Sequence, residues 1–353
     1  MSKVLIIGGG LAGAVTAKEL ASQNVSVVIA EASGSFGGKV RGYGCKSTDK
    51  CANCGVCLTR GLWDSVENNP LIEILPNTRL VDLMGGKGCF TATLNTGGAV
   101  SPMDGISDVV VATGFEQMKR EHVNAFVELD GAGPDDRSVI TGSDIERIFL
   151  NRSKTRLFDR APERIAFIQC YGSRDAKERA MYCSRVCCGY STRAAKVIKN
   201  YYPDCEITFF YMEMQQVRGG NYFDELKELG IRFIKCRPVK IQAGDPASVW
   251  FDNPDTGRRE RLDFDGIVLS DGIRPSDGAA RTAELCGLGQ TEDGFLRYVT
   301  DSGDAERTGV YIAGCAGGPA RIEEVYGESV AVAQRILFQK EAPIEKTENG
   351  SGE

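Results

Sequence analysis

The chain has 353 residues and a net charge of −6, with 42% hydrophobic and 25% charged residues. These values are ordinary for a globular protein of one or two domains, and the lack of a long basic run argues against nucleic acid as a partner. The single histidine, His122, excludes histidine-rich metal sites. We interpret His122 as a surface or boundary residue because no partner motif surrounds it.

Short apolar strands alternate with helical stretches along the chain, which is typical of α/β proteins with parallel sheets. Two successive βαβ units look like two copies of one architecture. In chain order the pattern predicts strands at Val4–Ile7, Val25–Ala30, Val109–Ala112, Ile165–Gln169, Ile207–Tyr211, Ile231–Ile234, Ile267–Leu269 and Val310–Ala313, and helices at Leu11–Ser22, Ser191–Tyr201, Phe223–Leu229 and Ile322–Phe338.

The sequence contains no run of about 18 apolar residues, which predicts no membrane span. The apolar N-terminal stretch is interrupted by glycines and continues into Lys18 and Glu19, which argues against a signal peptide and favours a cytoplasmic protein. Thirteen cysteines in such a chain indicate metal or cluster ligands, redox thiols or small buried residues rather than disulfides. Residues 343–353 are charged and rich in Gly and Ser, which predicts a disordered tail.

The first predicted strand leads into a G-x-G-x-x-G turn formed by Gly8, Gly10 and Gly13 and then into a helix. Gly8 permits the tight turn, Gly10 lets the backbone approach a pyrophosphate, and Gly13 lets the helix pack closely on the strand. The second strand ends at Glu31, where a carboxylate can accept hydrogen bonds from a ribose. Together these features predict a dinucleotide site.

Three further motifs resemble those of thioredoxin reductases and glutathione reductases, in which they mark FAD. The resemblance implies FAD here, although the family's usual Asp for the ribityl chain is replaced by Cys315. The residues that carry it are Gly38 and Lys39, then Ala112, Thr113 and Gly114, and finally Gly314 before Cys315.

The second βαβ unit has no glycine turn where this fold normally binds NAD(P)H. Its strand enters Cys170-Tyr171-Gly172-Ser173-Arg174, and no G-x-G-x-x-G follows. Without those glycines the backbone cannot close around a pyrophosphate. We therefore expect NAD(P)H not to be the electron donor.

Two cysteine runs have spacings that suit metal ligands. Cys45, Cys51, Cys54 and Cys57 include a C-x2-C-x2-C run, which resembles ferredoxin spacing and favours a [4Fe–4S] cluster over zinc or a redox dithiol. Cys170, Cys183, Cys187 and Cys188 form the second run, for which spacing alone is weaker support. The other cysteines, apart from Cys315, are interpreted as core or loop residues.

The stretch from Ile168 to Gln215 is similar to the flavin-containing A subunits of heterodisulfide reductases, as are the segments around 230–241 and 309–325. In that family, cysteines matching the second run hold a [4Fe–4S] cluster, so the resemblance implies two clusters in all. The family commonly has Lys where this chain has Arg193, a fixed cation that could tune the flavin. This replacement is a reason not to carry electron bifurcation over to this chain.

The compact chain most resembles the A-like subunit of the heterodisulfide-reductase-like complex of sulfur oxidisers. That resemblance implies cytoplasmic electron transfer in oxidation of sulfane sulfur, with other subunits of the complex as partners and a homodimer of this chain. The alternatives are the A subunit of the quinone-interacting oxidoreductase of sulfate reducers, a stand-alone flavin disulfide reductase, and a zinc-containing assembly subunit.

We therefore predict two Rossmann-like modules of thioredoxin reductase type. The FAD module is discontinuous and comprises residues 1–158 and 273–342. The inserted module, residues 159–272, carries an iron–sulfur cluster in place of the NAD(P)H site.

Overall fold

The computed structural model describes residues 3–118, 127–128, 137–150, 161–215 and 222–341. His122 and the predicted tail, residues 343–353, lie outside the described residues.

The first part of the chain contains most of one sheet and the helices on it. Its elements are β1 (Lys3–Ile7), α1 (Leu11–Ser22), β2 (Ser26–Ala30), α2 (Leu62–Glu67), β3 (Ile72–Leu75), β4 (Thr78–Met84), β5 (Phe90–Thr96), β6 (Ala99–Val111) and β7 (Phe115–Gln117), with short 3₁₀ turns at Lys39–Gly42 and Val56–Thr59.

The remaining elements build the second module and then return to the first. They are β8 (Val127–Glu128), β9 (Val139–Thr141), α3 (Gly142–Leu150), β10 (Arg164–Tyr171), α4 (Cys187–Tyr201), β11 (Glu206–Phe210), α5 (Tyr222–Glu228), β12 (Arg232–Ile234), β13 (Lys240–Gln242), β14 (Ala247–Asp252), β15 (Arg259–Phe264), β16 (Gly266–Asp271), β17 (Ile273–Pro275), α6 (Ala279–Cys286), β18 (Val310–Ile312), a 3₁₀ turn at Gly314–Ala316, and α7 (Ile322–Glu341).

The first sheet has the strand order β3-β2-β1-β6-β5-β4, and β18 pairs with β6. Ile7 pairs with both Ala30 and Val111, and Val111 pairs with Ile312, so four parallel strands end at one edge. The residues that follow these strands therefore meet there, which is where α/β folds bind ligands. Because β18 comes from the C-terminal part of the chain, two separate parts of the chain form this sheet.

Helices α1 and α7 cover one face of this sheet. Ala14 and Val15 of α1 and Val332 and Ala333 of α7 are fully buried in one apolar cluster with the strands. The apolar residues on the opposite face form a second cluster with those of β4, β5 and α6. This burial stabilises the edge on which the glycine turn lies.

The second sheet is parallel and has the order β12-β11-β10-β16-β9, beside a smaller sheet of order β15-β14-β13-β8. The α/β fold of two Rossmann-like modules is therefore confirmed. The second sheet also takes in Val139–Thr141, which lies ahead of the predicted boundary at residue 159. This strand is too short to give a signal in the sequence, and we propose that the inserted module begins before Val139.

Helix α4 corrects one prediction that matters for the second cysteine run. The helix begins at Cys187 rather than near Ser191. Cys187 and Cys188 therefore lie in its first turn, where the unpaired backbone amides and the helix dipole favour thiolates.

Candidate functional site

A cavity of about 810 Å³ lies at the carboxyl edge of the first sheet and extends to the second module. It brings together most of the residues predicted to bind a dinucleotide. The predicted residues in its wall are Gly8, Gly10, Glu31, Gly38, Lys39, Ala112, Thr113, Gly114, Arg193 and Cys315.

The glycines of the turn have separate roles. Gly8 has φ 107°, and a Cβ there would lie 2.4 Å from the carbonyl oxygen of Ala112. A Cβ on Gly13 would lie 2.1 Å from the carbonyl oxygen of Gly8, whereas a Cβ on Gly10 would meet no atom within 4 Å. Gly8 and Gly13 are therefore required for packing, while Gly10 keeps space open at the start of α1.

Gly13 and Gly314 lie outside the cavity wall, although both were predicted as binding residues. A Cβ on Gly314 would lie 2.8 Å from the Cβ of Ala12, so this glycine lets the C-terminal turn approach α1. The two glycines allow the close backbone packing beside the cavity.

Glu31 is held against the glycine turn. Its Oε2 accepts a hydrogen bond from the N–H of Gly9 at 2.8 Å, and its Oε1 accepts from the N–H and the hydroxyl of Ser33, each at 2.7 Å. This network fixes the carboxylate at the end of β2, beside the cavity.

The cavity wall contains polar groups without protein partners, as a site for a dinucleotide would. Helix α1 has no side-chain cap at Gly10, so its first amides are open to the cavity. Within the described part of the chain, Thr113 Oγ1, Ser276 Oγ and Arg321 Nε are buried without a hydrogen-bond partner, and all three residues line this cavity. Buried polar atoms of this kind are normally satisfied, which points to a polar ligand.

Cys315 lies in the 3₁₀ turn after β18 and is buried. Burial raises the pKa of its thiol to about 12, and Sγ donates to the carbonyl oxygen of Ala320 at 3.6 Å. The side chain therefore contributes a neutral wall to the cavity where the resembling flavoproteins have Asp.

The wall also contains polar residues that sequence analysis did not single out. Lys46 and Glu146 form a buried ion pair at 2.5 Å, although burial still raises the pKa of Glu146. Asp271 accepts from the hydroxyls of Ser143 at 2.8 Å and Tyr190 at 3.1 Å. The position of Asp271 at the end of a buried parallel strand was the signal that could have identified it.

Burial of Asp271 predicts a pH dependence of folding. Burial raises its pKa from 3.8 to about 6, so the folded state binds the proton more tightly than the unfolded state. The resulting stability is present below pH 3.8 and is lost as the pH rises through about 6, a difference of about 3 kcal/mol. About half of this difference falls between pH 5 and pH 7.5, and we expect Asp271→Asn to remove that part of the change in the free energy of unfolding.

Denaturant unfolding of the cofactor-free chain at the two pH values checks this prediction. The matched control is Asp252→Asn, which removes an exposed carboxylate paired with Arg259 and should leave that pH difference unchanged. An Asp271→Asn variant that keeps the wild-type pH difference would contradict the prediction.

The thiol of Cys187 is hydrogen-bonded to those of Cys170 and Cys188. Hydrogen bonds from Cys187 lower the pKa of Cys170 and lower the pKa of Cys188 to about 7, and the guanidinium of Arg174 acts in the same direction on both. The pKa of Cys187 itself is raised by these bonds and by burial. Cys183 is partly exposed on the preceding loop.

Both cysteine runs contain the same local turn. The N–H of Asn53 donates to Cys51 Sγ and the N–H of Arg185 donates to Cys183 Sγ, both at 3.4 Å. Asn53 and Arg185 have positive φ angles of 45° and 62°. Amides directed at sulfur in this way stabilise thiolate ligands.

Backbone strain is concentrated in the second run. Among the described residues, Cys170, Arg174, Arg179 and Arg185 are the ones with positive φ that are neither Gly nor Asn. Such conformations cost about 1–3 kcal/mol each and cluster at functional sites.

The described residues contain no group of three or more Cys, His, Asp or Glu side chains placed to hold a metal ion. In the first run Cys45, Cys51 and Cys57 are exposed, and Cys54 lines the cavity. The donor chemistry fits iron–sulfur clusters, since each run supplies four thiols and a turn with an amide on sulfur. Two metal sites therefore stay a prediction from the sequence.

Arg193 contacts the first cysteine run. Its Nε donates to the carbonyl oxygen of Ala52 at 2.8 Å and its Nη2 to that of Asn53 at 3.1 Å. The side chain thus joins α4 of the second module to the turn between Cys51 and Cys54.

Comparison with known proteins agrees with this architecture. Residues 6–56 match the family described as NAD(P)-binding Rossmann-like domain. The crystal structure of T. acidophilum thioredoxin reductase superposes with a TM-score of 0.65 at 18% identity, covering 96% of this chain and 99% of that one. The fold is that of two Rossmann-like modules, similar to thioredoxin reductases.

Curated proteins with similar sequences are named as A subunits of heterodisulfide reductases. The chain is 32% identical over 258 residues to the A subunit of the H(2):CoB-CoM heterodisulfide,ferredoxin reductase of Methanothermobacter thermautotrophicus, covering 66% of this chain and 37% of the relative. It is 27% identical to the second iron-sulfur A subunit of the CoB–CoM heterodisulfide reductase of Methanopyrus kandleri, covering 94% and 63%. The chain is similar over most of its length to heterodisulfide reductase A subunits, and it spans less than two thirds of the length of these relatives.

None of the helices in the described ranges combines the length and the apolar character that a membrane crossing needs.

Proposed function

We propose that this chain is an electron-transfer oxidoreductase subunit that binds FAD and two [4Fe–4S] clusters in a cytoplasmic heterodisulfide-reductase-like complex. The observation that carries the proposal is the shared cavity. The glycine turn and Glu31 form one end of it, Cys54 of the first run lies in its wall, and Gly189 and Tyr190 of α4 line it directly after Cys187 and Cys188.

The chain's own residues have distinct tasks in this proposal. Gly10 and the open amides of α1 receive the pyrophosphate, and Glu31 receives the ribose. Arg174 and the first turn of α4 favour thiolates in the second run. FAD exchanges two electrons and each cluster exchanges one, so the bound groups together would convert between the two kinds of transfer.

The finer assignment rests on the compact four-cysteine run, Cys45 to Cys57. We propose that the complex oxidises protein-bound or thiol-bound sulfane sulfur, that partner subunits carry the sulfur chemistry, and that the chain forms a homodimer. A quinone-linked subunit of sulfate reduction is the second candidate, because the family resemblance supports it as well.

Anaerobic purification followed by metal and flavin analysis tests the proposal. We expect about one FAD and about eight irons per chain, without zinc. Flavin without iron would favour a stand-alone disulfide reductase, and zinc in place of iron would favour an assembly subunit. Flavin reduction by a quinol analogue would favour the quinone-linked candidate.

The electron donor provides a separate prediction. The loop between β10 and α4 carries cysteines rather than a glycine turn, so NADH and NADPH should not bleach the flavin at useful rates, whereas dithionite should. Anaerobic absorbance at the flavin band measures both. Rapid stoichiometric bleaching by either nucleotide would show that this loop binds a pyrophosphate after all.

A further inference from the structure

The turn between Cys51 and Cys54 is held from two sides. On one side the guanidinium of Arg193 binds the carbonyl oxygens of Ala52 and Asn53. On the other, Gly55 lies so close to the start of α7 that a Cβ there would be 2.9 Å from Glu323 and 3.2 Å from Ile322. The turn is therefore fixed by long-range contacts rather than by a helix or strand of its own.

The two carbonyl bonds of Arg193 determine how the backbone of this turn is oriented. Asn53 has a left-handed conformation, with φ 45°, and its N–H donates to Cys51 Sγ. The Asn53 N–H belongs to the same peptide group as the Ala52 carbonyl. Holding that carbonyl, together with the next one at Asn53, therefore keeps the amide directed at the Cys51 sulfur. Hydrogen bonds to cluster sulfurs are one of the factors that set a cluster's reduction potential.

An arginine suits this task better than a lysine. Its planar fork presents Nε and Nη2 to two neighbouring acceptors at once, whereas an ammonium group is a single point donor on a flexible stem. The fixed positive charge also lies beside a loop that would carry thiolates. Because Arg193 is on α4, the contact links this loop to the helix that begins with Cys187 and Cys188.

We propose that Arg193 is a positioning residue for the first cysteine run, acting as a clamp on the Ala52 and Asn53 carbonyls. The clamp keeps the Asn53 amide directed at the Cys51 sulfur, and it keeps Cys54 in the wall of the cavity. It makes the first run depend on the helix that supplies two ligands of the second run. The assignment of a cluster to the first run rests on the proposed function, but the clamp itself does not.

Amide hydrogen exchange of the metal-free full chain tests the clamp without any cluster. Arg193→Ala should increase exchange at residues 51–55 by about tenfold or more, as expected for losing a charge-assisted hydrogen bond, and leave β1 unchanged. Arg193→Lys should resemble Arg193→Ala, because one ammonium cannot hold both carbonyls. The matched control is Lys196→Ala, which removes a neighbouring cation of α4 that pairs with Glu225.

Redox titration of the iron-loaded protein tests whether the clamp affects the reduction potential of the first cluster. In a Cys187→Ser background, where the first cluster alone contributes the signal, Arg193→Ala should shift the midpoint potential and the electron paramagnetic resonance line shape. In a Cys54→Ser background the second cluster's signal should stay unchanged.

Failure of the clamp and failure of the cluster assignment give different results. Unchanged exchange at residues 51–55 in Arg193→Ala, or full restoration by Arg193→Lys, overturns the clamp. Increased exchange in a chain that binds no iron at the first run supports the clamp and overturns the cluster assignment for that run.

Discussion

Replacing Cys187 with serine is expected to remove about half of the iron bound under anaerobic conditions, roughly four of eight atoms. Cys187 lies in the first turn of α4 and its thiol contacts those of Cys170 and Cys188. A serine hydroxyl is a hard donor that iron–sulfur clusters accept poorly, so the second cluster should be lost. The first cysteine run lies on a separate loop and should keep its iron.

Cys54→Ser should have the converse effect. It removes the cysteine of the first run that lines the cavity, while the contacts among Cys170, Cys187 and Cys188 remain. Iron and sulfide analysis, with electron paramagnetic resonance after reduction, should show a different residual signal in each variant. Cys89→Ser is the matched control, because Cys89 is exposed and lies outside both runs.

Full iron retention in Cys54→Ser would show that the first run is not a cluster site or that a nearby residue replaces the ligand. Zinc instead of iron in fresh anaerobic preparations would contradict electron transfer through that run. Loss of all iron in either single variant would show that the two sites do not assemble independently.

The glycine turn at the edge of the first sheet could be predicted because its signals are local in sequence. The strand, the turn from Gly8 to Gly13 and the helix that follows are consecutive, and helix α1 has the predicted bounds. Glu31 follows at the end of the next strand, and parallel strands align such ends without further information.

Features that depend on distant contacts could not be predicted in the same way. Arg193 binds a carbonyl 141 positions earlier in the chain, and the Lys46–Glu146 pair joins segments 100 positions apart. The start of α4 at Cys187 was missed because no capping residue or proline marks it. The short strand Val139–Thr141 was missed because its position in the sheet is set by β16 rather than by its own sequence.

Replacing Gly10 with valine is expected to weaken flavin binding substantially while leaving the fold intact. Gly10 has φ −79°, a conformation that any residue adopts, and its Cβ would meet no protein atom within 4 Å. The valine side chain would instead occupy the cavity at the uncapped end of α1. Overpacking of this kind costs about 1–3 kcal/mol or more, which corresponds to roughly 5- to 150-fold weaker binding.

The other glycines provide the controls that separate ligand binding from folding. Gly13→Ala should destabilise the module itself, because its Cβ would lie 2.1 Å from the backbone of Gly8. Gly327→Val places the same side chain in open space on the exposed side of α7 and should affect neither property.

Flavin titration of the apoprotein and thermal unfolding by circular dichroism distinguish these cases. If Gly10→Val binds flavin as tightly as the wild type, the pyrophosphate does not lie at this turn, and the open amides of α1 serve another ligand. If Gly10→Val unfolds like Gly13→Ala, the space at Gly10 is needed for packing against Gly38, whose own Cβ would lie 2.9 Å from the Gly10 Cα. Loss of flavin with an unchanged unfolding temperature is the result that assigns the cavity to the dinucleotide.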